Sequence, residues 1–442
     1  MSSTISTPLD LLPDTTTITP EGSLQIAGYT LADLAQQYGT PLYIFDRETI
    51  QNACEKYWQA LQKQYRASQV RLLYAAKSYI APEIARLVAD MGLGLDVVSG
   101  GELLVAKRAG FPMERVSLHG NNKSEDELRL ALRLGVGRIV LDNWNEIERL
   151  TRIARELQVR PDVLLRVAPA VETETHRYLQ TGHSAAKFGF PLSTNEARAA
   201  ALQIVNEDRL RLRGLHAHSG TMLRETRPYE ECLLRLLMLA IEIYTASGWW
   251  PEEISPGGGW GVETPESGKA PEVDILVQAI QKTMEEMQEN LPGPVPTLIL
   301  EPGRSIIARA GVALYRVGAC KSTPGGVNYL FVDGGMADNI RPALYNAVYT
   351  AIAVDRALDA SEQSFCVSGR YCESGDILIE QVQLPHMQEG DLLCLPTAGA
   401  YCLPMASNYN LVPRPAVVLV DRQKVQIIER RETYDDILNR YS

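Results

Sequence analysis

The chain lacks paired cysteines at the spacing that metal sites and disulfide-rich modules use. Its 442 residues include seven cysteines, an odd number, at scattered positions and without a C-x-x-C pair. This pattern argues against a disulfide framework and indicates reduced thiols in a reducing compartment.

Long runs of like charge and long runs of apolar residues are also missing. No run of five or six like charges occurs despite a net charge of −11, which argues against a nucleic-acid or membrane-surface partner. No stretch of about 18 apolar residues is present. Residues 1–20 show neither an arginine-rich transit character nor the apolar core of a signal peptide. We therefore expect a soluble cytoplasmic protein.

The length exceeds what one hydrophobic core usually spans, so two domains are expected. Between about residues 70 and 301, short runs rich in Val, Ile and Leu alternate with longer amphipathic segments, as in βα units with parallel strands. Eight such units predict an α/β fold, a (β/α)8 TIM-type barrel over residues 46–310. The predicted strands are Arg71–Ala75, Leu95–Val98, Val116–Leu118, Arg138–Leu141, Val163–Val167, Leu212–His216, Glu252–Ser255 and Thr297–Glu301.

A different pattern begins near residue 311. Short alternating apolar runs separated by Gly, Pro and Asn predict a second, all-β domain, sandwich-like or barrel-like, over residues 311–442. We expect the N-terminal segment 1–45 to join this domain, and Ser23–Ala27 to add a strand to the barrel. The predicted strands of the β-domain are Val312–Val317, Tyr329–Val332, Ile377–Gln383, Asp391–Leu395 and Ala416–Val420.

A lysine, Lys77, ends the first predicted barrel strand in the motif Tyr74-Ala75-Ala76-Lys77. Active sites of such barrels lie at the carboxyl ends of the strands. A desolvated lysine has a lowered pKa and can form a Schiff base with an aldehyde. The alternative is a surface lysine whose stem lies along apolar residues. The segments that follow favour the nucleophile, because in this order they can complete a site for pyridoxal phosphate (PLP).

The run Gly257–Gly261 directly follows the seventh predicted strand. Backbone amides without side chains can approach a phosphate closely, and barrels often bind phosphate after strands seven and eight. A flexible turn is the alternative, since a glycine cluster alone is a weak signal. Arg304, placed after the eighth strand, favours the phosphate site.

Glu301 ends the eighth predicted strand, before Pro302-Gly303-Arg304. A carboxylate at this point can keep the pyridine nitrogen of PLP protonated, and a protonated ring is the stronger electron sink. An exposed Glu–Arg ion pair of little energetic consequence is the alternative. The tight turn imposed by Pro302-Gly303 favours a shaped site.

Two histidines, His216 and His218, project to the same side at the end of the sixth predicted strand. A metal site is disfavoured because no third ligand of suitable type stands nearby in sequence. His218 is better suited to stack on an aromatic ring, while Gly220 and Thr221 add an amide and a hydroxyl to the phosphate. We interpret His216 as a core histidine.

Cys372-Glu373 lies in a glycine-containing loop of the β-domain, residues 369–376. A buried cysteine is usually a small hydrophobe, but the polar neighbours indicate a functional loop whose thiol can donate a proton. Arg341, Tyr345 and Tyr401 add a cation and two phenols to the same domain. Each of these residues, taken singly, is typical of an ordinary surface or core position.

Further motifs accompany these segments in order, and together they resemble the diaminopimelate decarboxylases, PLP-dependent enzymes of fold type III, the alanine-racemase-like fold. The resemblance covers about residues 40 to 430. Residues 175–189 matter most, because they look like the diaminopimelate enzymes and less like the ornithine or carboxynorspermidine relatives. The further matching stretches are Asp96–Leu103, His119–Lys123, Thr175–Gly189, Asp333–Met336, Arg341–Tyr345 and Met405–Asn410.

The resemblance implies decarboxylation of meso-2,6-diaminopimelate to L-lysine and CO2, the last step of lysine biosynthesis. Lys77 would bind PLP covalently, His218 would stack on its ring and Cys372 would return a proton to the substrate carbon. In this family the cysteine comes from the neighbouring subunit, which implies a homodimer. The implied cofactor-binding residues are Lys77, Asp96, His218, Gly220, Thr221, Gly257, Gly258, Gly259, Glu301, Gly303, Arg304 and Tyr401, and the implied substrate-binding residues are Arg304, Arg341, Tyr345, Glu373 and Tyr401.

Two alternatives remain open at this stage. The same machinery can act on a related diamine acid, such as D-ornithine, D-lysine or carboxynorspermidine. Arg304, Arg341 and Glu373 favour a substrate with a second amino-carboxyl end, because each buried charge needs a partner. The other alternative is a catalytically silent PLP-binding relative, which would be expected to lack Lys77 or Cys372.

Overall fold

The computed structural model describes residues 8–171 and 187–441, and these divide into two compact units. The barrel unit comprises the described residues of Cys54–Gly261 and Pro271–Ser305. The sheet unit comprises the described residues up to Ala53, Val262–Ala270 and those from Ile306 onwards. The barrel predicted over residues 46–310 also contained residues 46–53, 262–270 and 306–310, which group with the sheet unit. The N–H of Asp46 donates to the carbonyl oxygen of Ala310 (2.8 Å) within the sheet unit.

The described strands and helices have the following bounds. The strands are β1 (Thr16–Ile18), β2 (Leu24–Ile26), β3 (Tyr29–Thr30), β4 (Leu42–Asp46), β5 (Val70–Ala75), β6 (Gly94–Val97), β7 (Val116–Leu118), β8 (Arg138–Leu141), β9 (Asp162–Ala168), β10 (Phe190–Pro191), β11 (Arg211–Ala217), β12 (Glu253–Gly257), β13 (Thr297–Leu300), β14 (Gly311–Ser322), β15 (Asn328–Val332), β16 (Ile352–Ala353), β17 (Gln363–Ser368), β18 (Ile377–Leu384), β19 (Leu392–Leu395), β20 (Ala416–Val420) and β21 (Val425–Glu429). The helices are α1 (Leu31–Tyr38), α2 (Arg47–Gln64), α3 (Pro82–Asp90), α4 (Gly100–Ala109), α5 (Glu125–Leu134), α6 (Trp144–Glu156), α7 (Glu196–Val205), α8 (Arg227–Ser247), α9 (Val273–Gln288), α10 (Arg304–Ile307), α11 (Arg341–Tyr345) and α12 (Tyr434–Leu438).

Eight parallel strands close the barrel. They pair in the order β5, β6, β7, β8, β9, β11, β12 and β13, and β13 pairs with β5 to complete the ring, which confirms the predicted barrel. The strands are largely buried on both faces, as is usual for parallel sheets covered by helices, and most of their residues are apolar. Leu73, Val140, Leu164 and Ile299, from four strands of the ring, form a buried cluster.

The amino ends of the barrel strands carry a network of ion pairs. Glu253, at the start of β12, accepts two hydrogen bonds from Arg138, through Nε (2.7 Å) and Nη2 (2.6 Å). Arg71 Nη1 lies 2.9 Å from the same carboxylate, and Arg138 Nη1 lies 3.2 Å from Asp162. Glu253 is 2% exposed, so this end of the barrel holds a buried and paired charge.

A mixed sheet forms the centre of the sheet unit. Its strands follow the order β18, β17, β15, β14, β4, β20 and β21, with β19 pairing to β14 and to β16. Strand β4 lies between β14, to which it is antiparallel, and β20, to which it is parallel. The sheet confirms the predicted C-terminal β-domain, although α11 and α12 add two short helices that the alternating pattern did not predict.

The prediction that Ser23–Ala27 adds a strand to the barrel was wrong. Leu24–Ile26 forms β2 of a separate three-stranded antiparallel sheet with β1 and β3, and it adds no strand to the barrel. Leu24 and Ile26 are fully buried and pack in one core cluster with residues of β4, β14 and β20. A short alternating run specifies a buried face but not the sheet to which the strand belongs.

The cysteines and the helices bear on two expectations drawn from the sequence, reduced thiols and the absence of a membrane span. All seven cysteines are free thiols, as the scattered spacing predicted. Among the described residues, no helix combines the length and the apolar character needed to cross a bilayer.

Candidate active site

Lys77 lies just beyond the carboxyl end of β5, in a tight turn beside the end of β6. Its Nζ is 3.9 Å from Oδ2 of Asp96, a carboxylate whose side chain is only 3% exposed, whereas the lysine side chain is 40% exposed. The turn is held by Ser78, whose Oγ donates to the carbonyl oxygen of Ala75 (2.7 Å). Gly303 packs against this turn, since a β-carbon there would lie 2.9 Å from Cβ of Ala75. The amine is thus held at the barrel's carboxyl end, next to a buried negative charge.

Glu301, just past the end of β13, is held by two side chains from neighbouring strands. His216 Nε2 lies 2.9 Å from Oε2, and Ser255 Oγ donates to Oε1 at 3.1 Å. Burial favours the protonated acid, but the contact with His216, including its hydrogen bond, outweighs burial and holds the pKa of Glu301 below its ordinary value. The carboxylate is therefore an anion at neutral pH, and His216, interpreted above as a core histidine, is its hydrogen-bond partner.

His119 is a member of this cluster that the sequence reasoning did not single out. It follows β7, and its Nε2 lies 3.5 Å from Asp96 and 3.8 Å from Glu301. Burial lowers the pKa of His119 well below its ordinary value, so its ring is neutral at physiological pH. The available signal was its position after the third barrel strand, within the motif His119–Lys123. The sequence reasoning found no third metal-ligand type of residue near His216 and His218 in the chain. In the structure such groups come from other strands, because the ligand atoms of His119, His216 and Glu301 lie within 4.8 Å of one another.

His218, two residues after His216, presents a neutral ring. Its Nδ1 accepts a hydrogen bond from the backbone N–H of Gly258 at 3.3 Å, so Nδ1 carries a lone pair. Removal from water lowers the pKa of His218 well below its ordinary value, and the charges of Lys77 and Arg166 lower it further. A neutral imidazole of this kind can stack flat on a pyridine ring without adding a charge.

The glycines after β12 are required by close backbone contacts. A β-carbon at Gly258 would lie 1.9 Å from the carbonyl oxygen of Glu301, and one at Gly259 would lie 2.0 Å from that of Gly220. Gly259 also has a φ of +105°, which L side chains rarely adopt. The carbonyl of Gly258 accepts from the hydroxyl of Tyr229 (2.9 Å), which fixes the loop from the other side. Residues 257–259 therefore form a closely packed backbone surface without side chains. Gly220, which contacts this surface, and Thr221 come shortly after the end of β11.

The residues at this end of the barrel fit pyridoxal phosphate. They comprise a primary amine, an anionic carboxylate, a neutral imidazole and a glycine backbone, the four features that suit the aldehyde, the pyridine nitrogen, the ring face and the phosphate. Arg304, which begins α10 after β13, adds a cation and is 9% exposed. The donor set fits the cofactor that the sequence predicted, while the individual cofactor contacts stay predictions.

Arg166 is a second residue that the sequence reasoning missed. It lies inside β9, is 8% exposed, and its Nη1 is 3.8 Å from Oδ1 of Asp142. Its guanidinium also lies over the Phe188 ring, 4.4 Å from the centroid. An arginine in the middle of the apolar run Val163–Val167 was the available signal, because a buried charge in a strand needs a specific reason.

The substrate-binding candidates of the sheet unit begin with Arg341, the first residue of α11. Its guanidinium lies 5.7 Å from the ring centroid of Tyr345, four residues later on the same helix. Its Nε donates to the hydroxyl of Tyr349 at 2.9 Å. Tyr401 adopts a φ of +61°, a left-handed conformation that turns the chain sharply.

Cys372 and Glu373 are exposed on a loop that a buried carboxylate organises. Asp376, which is 1% exposed, accepts the backbone N–H of Met336 at Oδ1 (2.7 Å) and that of Tyr371 at Oδ2 (2.8 Å). The thiol is therefore presented to the outside by a loop of fixed geometry.

Part of the predicted substrate stretch, residues 175–189, lies outside the described residues. The structure describes only Lys187, Phe188 and Gly189 of it. The contribution of His176, Arg177 and Tyr178 stays a prediction.

Comparisons with known proteins identify the family. Residues 48–308 match the family described as "Pyridoxal-dependent decarboxylase, pyridoxal binding domain". The diaminopimelate decarboxylase of Bacillus subtilis is 39% identical over 417 residues, which cover 94% of each chain. That of Actinosynnema pretiosum is 41% identical over 425 residues, 95% of this chain and 92% of the relative.

A solved structure extends the likeness to three dimensions. Diaminopimelate decarboxylase from M. jannaschii, in co-complex with L-lysine, has a TM-score of 0.89 and 31% identity, covering 97% of this chain and 98% of that one. These findings confirm the predicted family, the decarboxylase class and the PLP cofactor. The chain belongs to the diaminopimelate decarboxylases, within the pyridoxal-dependent decarboxylase family.

Proposed function

We propose that this chain decarboxylates meso-2,6-diaminopimelate to L-lysine and CO2, using the residues predicted from its sequence. The observation that carries the proposal is the buried anionic Glu301, held by His216 and Ser255 at the same barrel end as Lys77. Family membership supports the reaction class, and the relative crystallised with L-lysine supports the product.

Each of the barrel residues contacts a different part of the cofactor in this proposal. When bound, pyridoxal phosphate supplies an electrophilic aldehyde and a ring that accepts electron density as the Cα–carboxylate bond breaks. Lys77, with its Nζ 3.9 Å from the Asp96 carboxylate, would supply the amine for the aldehyde. Glu301 stabilises a proton on the pyridine nitrogen, and His218 covers one ring face.

The charged residues of the sheet unit bind the rest of the substrate. Diaminopimelate carries two carboxylates and two ammonium groups, and each needs a partner when it leaves water. Arg341 provides a cation for a carboxylate, as does Arg304, and Tyr345 and Tyr401 provide hydroxyl groups. Glu373 provides an anion for the distal ammonium.

Cys372 donates the proton that replaces the departing carboxylate on Cα, and the thiolate regains a proton from solvent. The family resemblance assigns this thiol to the neighbouring subunit, so the active form is a homodimer. Its exposure on the described chain is consistent with such a role. The seven free thiols support a cytoplasmic location, where thiols stay reduced.

Turnover of defined substrates tests the proposal. Purified protein, loaded with PLP, is incubated with meso-diaminopimelate while CO2 and chiral lysine are measured, and Lys77→Ala is assayed in parallel. We expect L-lysine from the unmodified chain alone. Turnover of D-ornithine, D-lysine or carboxynorspermidine without turnover of diaminopimelate would assign the chain to a related diamine acid, and PLP binding without any turnover would indicate a silent relative.

A further inference from the structure

Tyr349 contacts the guanidinium of Arg341 at Nε. The phenol oxygen accepts the N–H of Arg341 Nε at 2.9 Å. Tyr349 is 8% exposed, so the hydrogen bond is shielded from water, whereas Arg341 itself is only partly buried. A tyrosine fixed in the core therefore holds an arginine that reaches towards the surface.

The hydroxyl of Tyr349 belongs to a directional chain of hydrogen bonds. The oxygen lies 3.4 Å from Sγ of Cys402, and that thiol donates to the carbonyl oxygen of Ala400 at 3.8 Å. Since the thiol proton points to Ala400, the phenol proton points to the sulfur, and the phenol lone pairs face Arg341. In this arrangement the phenol oxygen is the acceptor for Nε.

This arrangement determines which edge of the guanidinium is available. Carboxylates are bound best when two parallel N–H groups of arginine meet both carboxylate oxygens. With Nε taken by Tyr349, the edge formed by Nη1 and Nη2 is the one that remains. Within residues 8–171 and 187–441, these two nitrogens form no hydrogen bond or ion pair.

The Tyr345 ring limits the guanidinium from another side. Its centroid lies 5.7 Å from the guanidinium carbon, within the range of a cation–π contact. Tyr349 fixes the direction of the guanidinium plane, and Tyr345 limits its tilt. The free edge is thus held ready before a ligand arrives, which reduces the entropy lost on binding.

We propose that Tyr349 is a positioning residue that determines specificity, by holding Arg341 so that its two terminal nitrogens bind the carboxylate that remains in the product. This inference rests on the proposed function, because it assigns that carboxylate to the substrate of the same site. It identifies the ligand class as amino acids with a carboxylate at the end that does not react.

Two small molecules differ only in the recognised group. L-lysine carries the retained carboxylate, and cadaverine has the same carbon chain and amines without it. If Arg341 is no longer held in place, L-lysine binds more weakly, whereas cadaverine binds as before. A general disturbance of the fold weakens both, so the ratio of the two affinities reports positioning alone.

Calorimetry on the PLP-loaded protein gives the dissociation constants of L-lysine and cadaverine for the unmodified chain and for Tyr349→Phe. We expect Tyr349→Phe to weaken L-lysine binding about five- to tenfold, as the loss of one hydrogen bond to a charged group does, and to change cadaverine binding less than twofold. The KM for diaminopimelate rises by the same factor as the L-lysine constant, with kcat nearly unchanged.

Two further variants keep the result interpretable. Tyr43→Phe is the matched control, because it removes a fully buried hydroxyl of the same unit that donates to the carbonyl of Asp338 (3.1 Å). We expect Tyr43→Phe to keep the ratio of L-lysine affinity to cadaverine affinity found for the unmodified chain. Cys402→Ala removes the sulfur that orients the phenol, and we expect about a two- to threefold loss for L-lysine. This variant tests the same chain of contacts if Tyr349→Phe does not fold.

An equal loss for L-lysine and cadaverine, or no loss for either, would overturn the proposal. The binding measurement needs no turnover. A chain that binds L-lysine selectively yet does not decarboxylate diaminopimelate would refute the proposed function and leave the role of Tyr349 standing.

Discussion

Asn410 accepts, through its side-chain Oδ1, a hydrogen bond from the backbone N–H of Cys372 at 3.1 Å. The two residues are 38 positions apart, and the neighbouring rings of Tyr371 and Tyr409 also lie together, with centroids 6.0 Å apart. Asn410 has a φ of +52°, a conformation that asparagine tolerates better than most residues. The segment around Asn410 therefore holds the backbone that carries the Cys372 side chain.

The first prediction concerns this contact. Asn410→Ala should lower kcat about tenfold and change KM less than twofold, because proton transfer requires a well-placed donor while substrate binding does not involve the amide. Steady-state kinetics with diaminopimelate measure both constants. Asn328→Ala, which removes an amide hydrogen bond to the carbonyl of Ser364 in the same unit, is the control and should leave kcat unchanged. A rise in KM alone would contradict the assigned role.

The second prediction concerns the base of the Cys372 loop. A β-carbon at Gly369 would lie 2.3 Å from Oδ2 of the buried Asp376, so Gly369→Ala should destabilise the protein by about 2 kcal/mol. Gly375→Ala, in the same loop, meets its nearest atom at 3.9 Å and should be neutral. Urea unfolding of both variants tests the difference. Equal stabilities would show that the loop shifts to accommodate the methyl group.

The third prediction concerns pH. Burial raises the pKa of Glu102 to about 7, helped by the Asp96 charge and opposed by the Val98 N–H and Lys77. The folded protein thus binds this proton more tightly than the unfolded chain, whose glutamates titrate near pH ~4.3. Stability contributed by the protonated acid is lost as pH rises from there to about 7.

Glu102→Gln, which keeps an acceptor for Val98, should therefore match the unmodified protein near pH 5 and exceed its stability at pH 8 by about 2 kcal/mol. Thermal unfolding of the PLP-loaded protein across this range measures the difference. Curves that stay parallel from pH 5 to 8 would refute the prediction.

The fourth prediction compares adjacent glutamates at the amino end of the barrel. Glu253→Gln leaves Arg138 partly uncompensated in a buried setting and should cost about 3 kcal/mol. Glu252 pairs with Arg211 and Arg213, but its side chain is 49% exposed, so Glu252→Gln should cost less than about 1 kcal/mol. Chemical denaturation gives both values. A similar cost for the two variants would mean that water reaches Glu253.

The fifth prediction tests the proposed homodimer. Lys77→Ala and Cys372→Ala should each be inactive alone, since each removes one essential group from every site. If a site combines the lysine of one subunit with the cysteine of the other, a mixture of exchanged subunits regains about a quarter of the full activity. Activity of the mixture that stays at the level of the separate variants would place both groups in one subunit.

The strand pattern and the strand-end rule account for what the sequence predicted. The run Val163–Val167 marked β9 because parallel strands are buried on both faces. Lys77, His218 and Glu301 each follow a strand, and the barrel brings such ends together. The contact of His119 with Glu301 was not predictable, because it depends on how the closed ring sets side-chain distances. Sequence spacing could not reveal the link of Asn410 to Cys372 either, since the fold alone brings these segments together.

Strand β4 gives the chain a particular order of assembly during synthesis. Residues 42–45 are completely buried in the finished sheet, yet one neighbour of β4 is β14 and the other is β20, near the opposite end of the chain. A ribosome must deliver almost the entire chain before both edges of this strand are paired. Until then β4 is an apolar strand with an open edge, a template for pairing with other chains, so the growing polypeptide carries this aggregation risk until its last strands emerge.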